Sequence, residues 1–120
     1  MQLTSSQPFA RVTVALVGAT EVEVVFLRVE DPSRQAIAIT VALEVREGDR
    51  SESFDLGAAS AFPPEEPAPF VLPLPKEAQA AIAAHSDGAA LLLRLTPVAD
   101  QTSLRDGTSV ALTIGGRVSR

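Results

Sequence analysis

One alternating stretch constrains the fold of this chain more than any other feature. In the ten residues 36–45, every second residue is a branched aliphatic one: Ile37, Ile39, Val41, Leu43 and Val45. Because successive side chains of a β-strand point to opposite faces, one face of this stretch is wholly apolar and the other is small or polar. The pattern predicts a half-buried strand in the middle of a sheet.

Further segments carry shorter versions of the same alternation. The residues Glu47-Gly48-Asp49-Arg50 predict a tight turn that joins the stretch 36–45 to the next strand as a hairpin. Around Val25 and Leu27 both faces of a strand become apolar, which predicts a β-bulge or a change of sheet near Val25. The other six predicted strands are 9–17, 21–29, 51–56, 70–74, 91–95 and 110–114.

A single helix is expected from about residue 76 to residue 86. Pro75 favours a helix start, Gly88 favours a stop, and Ala78, Ala81 and Ile82 recur at helical spacing.

The predicted strands and the single helix together indicate a mainly β fold class: an antiparallel β-sandwich or partly closed barrel of about seven strands with one short helix. We expect a flexible N-terminus over residues 1–8 and a single β domain over residues 9–120.

Charge and composition exclude several classes of partner. The net charge of −5 and a pI near 4.8 oppose binding to nucleic acid or to an anionic membrane surface. No segment approaches the roughly 20 apolar residues that cross a bilayer, so we expect a soluble chain. Cysteine is absent, which leaves the compartment open, while the preference for arginine over lysine and the abundance of alanine are typical of a bacterial source.

The sequence offers little for catalysis or for binding a metal or cofactor. His85 is the only histidine, and although Ser86 and Asp87 follow it, a catalytic triad needs residues from separate elements. The neighbouring Glu65 and Glu66 lie in a proline-rich loop with nothing to raise the pKa of either carboxyl. We predict no catalytic residue, no metal ligand and no cofactor. A small hydrolase would have to use His85 as its base.

Two phenylalanines flank the proline-rich loop and suggest a contact surface. An exposed aromatic ring beside prolines can dock another protein, which makes Phe62, Pro63, Pro64 and Phe70 a candidate interface. The alternative is that Phe62 and Phe70 close the open end of the core. Both interpretations stay open at the level of the sequence.

The C-terminal third resembles a known family. Residues 91–97, Leu-Leu-Leu-Arg-Leu-Thr-Pro, and residues 110–116, Val-Ala-Leu-Thr-Ile-Gly-Gly, resemble the end of the C-terminal domain of plant polyphenol oxidases and related bacterial tyrosinases. Segments 9–18, 36–44 and 76–84 look similar to that domain's opening strand, its Lys-Phe-Asp-Val strand and its short helix. The chain departs from the family where Ala-Ile-Thr-Val, at 38–41, stands in place of Lys-Phe-Asp-Val.

The resemblance implies a non-catalytic accessory domain. Such a domain packs over a histidine-rich dicopper catalytic domain and covers the entrance to the copper site, so the implied partner is that catalytic domain. The alternative is a free-standing β-sandwich that serves as a protein-interaction or adhesion module, with self-association through an exposed strand edge.

Overall fold

Eight strands and one helix make up the part of the chain that the computed structural model describes, which is residues 1–30, 37–61, 68–84, 89–97, 104 and 106–118. The elements in chain order are β1 (Gln2–Thr4), β2 (Phe9–Val12), β3 (Glu21–Glu30), β4 (Ile37–Glu47), β5 (Arg50–Ala61), β6 (Ala68–Pro73), α1 (Lys76–Ala84), β7 (Ala89–Pro97) and β8 (Ser109–Arg117).

The strands form two antiparallel sheets of four strands each. The first sheet has the order β1-β8-β3-β6 and the second the order β2-β7-β4-β5. The sheets enclose one apolar core and do not close into a barrel. The predicted mainly β fold is therefore confirmed, in the form of a sandwich.

The stretch that alternates most clearly occupies a central position in the second sheet. β4 lies between β7 and β5, and all five of its branched aliphatic side chains, from Ile37 to Val45, are buried. Buried residues from the first sheet, among them Val22, Val24 and Phe26, belong to the same core. Full burial of one such side chain stabilises a fold by about 1.5–3 kcal/mol, so β4 supplies a large share of the stability.

The predicted hairpin is confirmed, and the predicted bulge lies two residues further along. β4 and β5 pair through a tight turn in which Gly48 takes a φ of 59°. In β3 the register shifts between Phe26 and Arg28, so Leu27 is the inserted residue and its side chain is half exposed. The insertion allows the apolar face to resume at Val29, which packs against the core.

The N-terminal region differs from what we expected. β1 lies within residues 1–8, which we expected to be flexible, and it pairs with β8 while the side chain of Leu3 is buried. The strand expected over 9–17 ends at Val12, because the chain there leaves the second sheet to reach the first. The crossing segment buries Leu16 and turns at Gly18, whose φ is 81°.

β5 extends beyond the predicted end at residue 56. It continues to Ala61 through a register shift next to Gly57, whose φ of 120° suits glycine.

The predicted helix is present over Lys76–Ala84, and the last two residues of its predicted range, His85 and Ser86, lie outside the described residues. Pro75 precedes the helix, and its carbonyl accepts a hydrogen bond from the Gln79 amide at 3.0 Å.

The crossing segment also approaches β8 closely at one glycine. A Cβ atom at Gly116 would lie 2.9 Å from the carbonyl oxygen of Ala15 and 3.0 Å from the side chain of Leu16. At the neighbouring Gly115 a Cβ atom would meet nothing within 4 Å. The absence of a side chain at Gly116 therefore allows Leu16 to reach the core.

We expect Gly116→Ala to lower the free energy of unfolding by about 1–3 kcal/mol, because the added methyl forces the crossing segment away from β8. Gly115→Ala is the matched control and should change the free energy of unfolding by no more than about 0.5 kcal/mol. Urea unfolding of both variants measures the difference. Equal effects of the two substitutions would contradict the close approach.

Candidate functional site

Of the two aromatic residues in the predicted interface, Phe70 is among the described residues and Phe62 is not. Phe70 lies in β6, where its half-buried ring meets the ring of Phe26 edge-on at a centroid distance of 5.3 Å. Phe70 thus packs against the core, while the interpretation that it closes the core together with Phe62 stays a prediction. Phe62, Pro63 and Pro64 lie outside the described residues, so the interface that they would form stays a prediction.

The described residues show neither a metal-binding cluster nor a membrane-spanning helix. Among the described residues, no three of the types His, Cys, Asp and Glu are grouped so that they could hold a metal ion. No helix there is long and apolar enough to cross a membrane. His85, Glu65 and Glu66 lie outside the described ranges.

A groove lies on the outer face of the second sheet. It has a volume of about 330 Å³ and is open to solvent. We call it the outer groove and define it by six side chains: Phe9, Thr40, Ala42, Asp55, Leu92 and Arg94.

Sheet register explains why these side chains meet. Arg94 of β7 lies between Phe9 of β2 and Thr40 of β4 in one row across the sheet. In the next row, Ala42 lies between Leu92 of β7 and Asp55 of β5. Small side chains on β4 form the floor of the groove, and larger ones on the flanking strands form its walls.

A bulge in β5 forms the wall that carries Asp55. Val41 pairs with Gly57 and Ala42 pairs with Asp55, so Leu56 is inserted between the two pairs. An Asp55 carboxylate oxygen accepts a hydrogen bond from the Gly57 amide at 3.0 Å. This bond holds the carboxylate at the side of the groove opposite β7.

The opposite wall is aromatic and cationic. The ring of Phe9 is 52% exposed, although large apolar side chains in this chain are mostly buried. The guanidinium carbon of Arg94 lies over that ring, 6.0 Å from its centroid, at the outer limit of a cation–π contact. An exposed phenylalanine beside an arginine is a combination enriched at protein interfaces.

Arg94 differs from most arginines in the described part of the chain. Arg11, Arg28, Arg46 and Arg117 are each ion-paired with a glutamate. Within that same part, Arg94 has no such partner, and neither does Arg50 at the hairpin turn. The guanidinium of Arg94 therefore keeps its hydrogen-bond donors available beside an apolar surface.

One end of the groove is bounded by an ion-pair cluster. An Oε1 atom of Glu44 accepts from Nη2 of Arg11 at 3.0 Å and from Nε of Arg46 at 3.2 Å. Glu44 follows Ala42 on the same face of β4. The shared carboxylate neutralises part of both cations, so Arg94 is the cation in the groove that is left for a ligand.

A second and smaller cavity lies beside the N-terminus. It has a volume of about 230 Å³ and is lined by Met1, Val12, Leu112, Thr113 and Ile114. Its lining is mainly apolar, and the charged group of Met1, its α-ammonium, already donates a hydrogen bond to the Leu112 carbonyl at 3.0 Å. We therefore take the outer groove as the candidate functional site.

Sequence reasoning missed this groove because its residues come from four separate strands. The alternation of residues 91–95 places Arg94 on the face opposite Leu91, Leu93 and Leu95, which is a usable signal. Nothing local, however, shows that Phe9 is the neighbour of Arg94. That neighbour depends on the pairing of β2 with β7.

No protein-family model, no curated protein and no solved structure matches this chain.

We expect Phe9→Ala to lower the free energy of unfolding by less than about 1 kcal/mol, because the ring lies on the surface and loses mainly its contact with Arg94. Phe26→Ala should cost about 3–5 kcal/mol or prevent folding, because that ring is buried in the core. Chemical unfolding followed by circular dichroism compares the two. A loss above about 2 kcal/mol for Phe9→Ala would show that the ring serves the fold.

Proposed function

We propose that this chain is a non-catalytic accessory domain that binds a catalytic domain of the tyrosinase and polyphenol oxidase type and covers the entrance to its copper site. The observation that carries the proposal is the outer groove, where the exposed ring of Phe9 lies beside Arg94 on a sheet whose opposite face is core. A rigid sheet that presents an exposed aromatic ring offers a contact surface at little cost in conformational entropy.

The order of the elements supports this proposal. Segments 91–97 and 110–116, which carry the resemblance to the tyrosinase family, lie in β7 and β8. Segment 76–84 coincides with α1, and most of segment 36–44 lies in β4. A sandwich with one short helix before its last two strands is the arrangement that the resemblance implies.

The proposed mechanism is occlusion. The partner would supply the copper ions and the histidines that hold them, and this chain would exclude substrate by burying the surface around the entrance. Removal or displacement of the chain would then open the site.

The direct test mixes this chain with a tyrosinase-type catalytic domain from the same genome, produced without any C-terminal extension. At a chain concentration of about ten times the Kd, roughly nine in ten entrances are covered, so we expect phenol oxidation to slow about tenfold. Calorimetry measures the association, and the rate of quinone formation measures the inhibition. A genome without such a catalytic domain, or a mixture that shows neither association nor inhibition, would contradict the proposal.

Matched surface variants sharpen this test. Phe9→Ser removes the exposed ring of the outer groove, whereas Val71→Ser removes an exposed apolar side chain from the first sheet. We expect the first variant to weaken both association and inhibition and the second to leave both unchanged. Equal effects of the two would place the contact elsewhere.

A second candidate function is a free-standing interaction or adhesion module that associates with itself. The edge of β5 favours it: β5 pairs with β4 on one side, and no described strand pairs with its other side. Since Arg50 pairs with Glu47 across a two-residue turn, the backbone groups of Ser51, Ser53 and Asp55 point away from β4. An edge of this kind can add a strand from a second copy.

Under this alternative, the chain alone forms dimers in size-exclusion chromatography with light scattering. Ser53→Pro should abolish them, because proline removes an N–H that faces the free edge and leaves the pairing with β4 intact. Ser53→Ala keeps the N–H and should preserve the dimers. A monomer at every concentration would remove the alternative.

A further inference from the structure

We infer that the outer groove binds an extended segment of a partner protein in which a carboxylate side chain, flanked by apolar residues, pairs with Arg94. This inference takes one assumption from the proposed function, namely that the partner is a polypeptide. It adds the surface used and the chemistry of the segment bound.

Arg94 defines the charge of the occupant. Its guanidinium lies over the ring of Phe9, and no carboxylate among the described residues pairs with it. Arg94 is exposed and the ring contact uses none of its N–H groups, so these donors remain available for a ligand. A carboxylate matches that edge with two parallel hydrogen bonds, whereas an amide oxygen offers a single neutral acceptor.

Asp55 determines on which side of the groove the acidic side chain of the occupant lies. It stands on β5, two strands away from Arg94 on β7, which corresponds to about 10 Å across the sheet. A carboxylate placed near β5 would be repelled by Asp55, so the acidic side chain belongs on the β7 side. The groove therefore distinguishes the two sides of an occupant that lies along β4.

The floor of the groove defines the kind of occupant. Ala42 and Thr40 lie on β4 between the two walls, and their short side chains leave the groove open along the strand. Because the groove is open to solvent, it covers one side of an extended chain; pockets for small molecules enclose most of the ligand. Leu92 and the ring of Phe9 supply the apolar contacts for residues beside the carboxylate.

The test uses a synthetic peptide, acetyl-Ala-Ala-Leu-Asp-Leu-Ala-amide, and its counterpart with Asn in place of Asp. Titration into the isotopically labelled full chain, followed by amide NMR spectra, locates and quantifies binding. We expect shifts at Thr40, Ala42, Leu92 and Arg94, and about three- to fivefold tighter binding of the Asp peptide, a difference that added salt reduces.

Two variants and one small molecule control the result. Arg94→Gln should remove the preference for Asp, and Arg50→Gln, which changes the other unpaired arginine at the hairpin turn, should retain it. Dispersed NMR spectra of each variant confirm folding. Acetate at the same concentration as the peptide should produce much smaller shifts.

Equal binding of the Asp and Asn peptides, shifts confined to other surfaces, an absence of shifts, or acetate binding as tightly as the peptide would overturn the inference. Failure here is distinguishable from failure of the proposed function. Peptide binding without association of the catalytic domain removes the proposed function and leaves the groove assignment. Association of the catalytic domain without peptide binding removes the groove assignment and leaves the proposed function.

Discussion

The rest of the structure depends on the burial of one face of β4. Its five branched aliphatic side chains point into the core, and β7 and β5 satisfy its backbone hydrogen bonds on both sides. Alternation directs the remaining side chains of β4, which are small or polar, to the opposite face, where Ala38 is buried, Thr40 is exposed and Ala42 is partly exposed. Ala42 and Thr40 on that face form the floor of the outer groove. Core and candidate site are thus opposite faces of one strand.

Irregular positions in the strands decide where the walls of that groove stand. The inserted residue Leu56 and the positive φ of Gly57 turn Asp55 to one side of it. In the first sheet, the inserted residue Leu27 instead lets the apolar face of β3 resume after an interruption. Bulges therefore serve two different purposes here: one shapes a surface and the other preserves the core.

Arg94 differs from most described arginines in having no ion-pair partner among the described residues. Ion pairs with glutamates occupy Arg11, Arg46 and Arg117 on the outer faces of the sheets. Exposed pairs of this kind contribute about 0–1 kcal/mol each to stability, so their main effect is on the surface potential. Among the described residues, Arg94 has no ion-pair partner and lies beside an exposed aromatic ring, an arrangement that favours recognition of one anionic group.

The sequence by itself determined the strands with strong alternation, the β4–β5 hairpin, the approximate helix and the mainly β class, because period-two patterning and turn residues act locally. The choice between a sandwich and a partly closed barrel came from the tertiary structure. Only the tertiary structure decided that residues 2–4 form a strand, that β2 ends at Val12 and that Phe9 lies beside Arg94. Those features depend on which strands become neighbours, and that choice follows from packing the whole core. The outer groove joins residues more than eighty positions apart in the chain, so no local pattern could have revealed it.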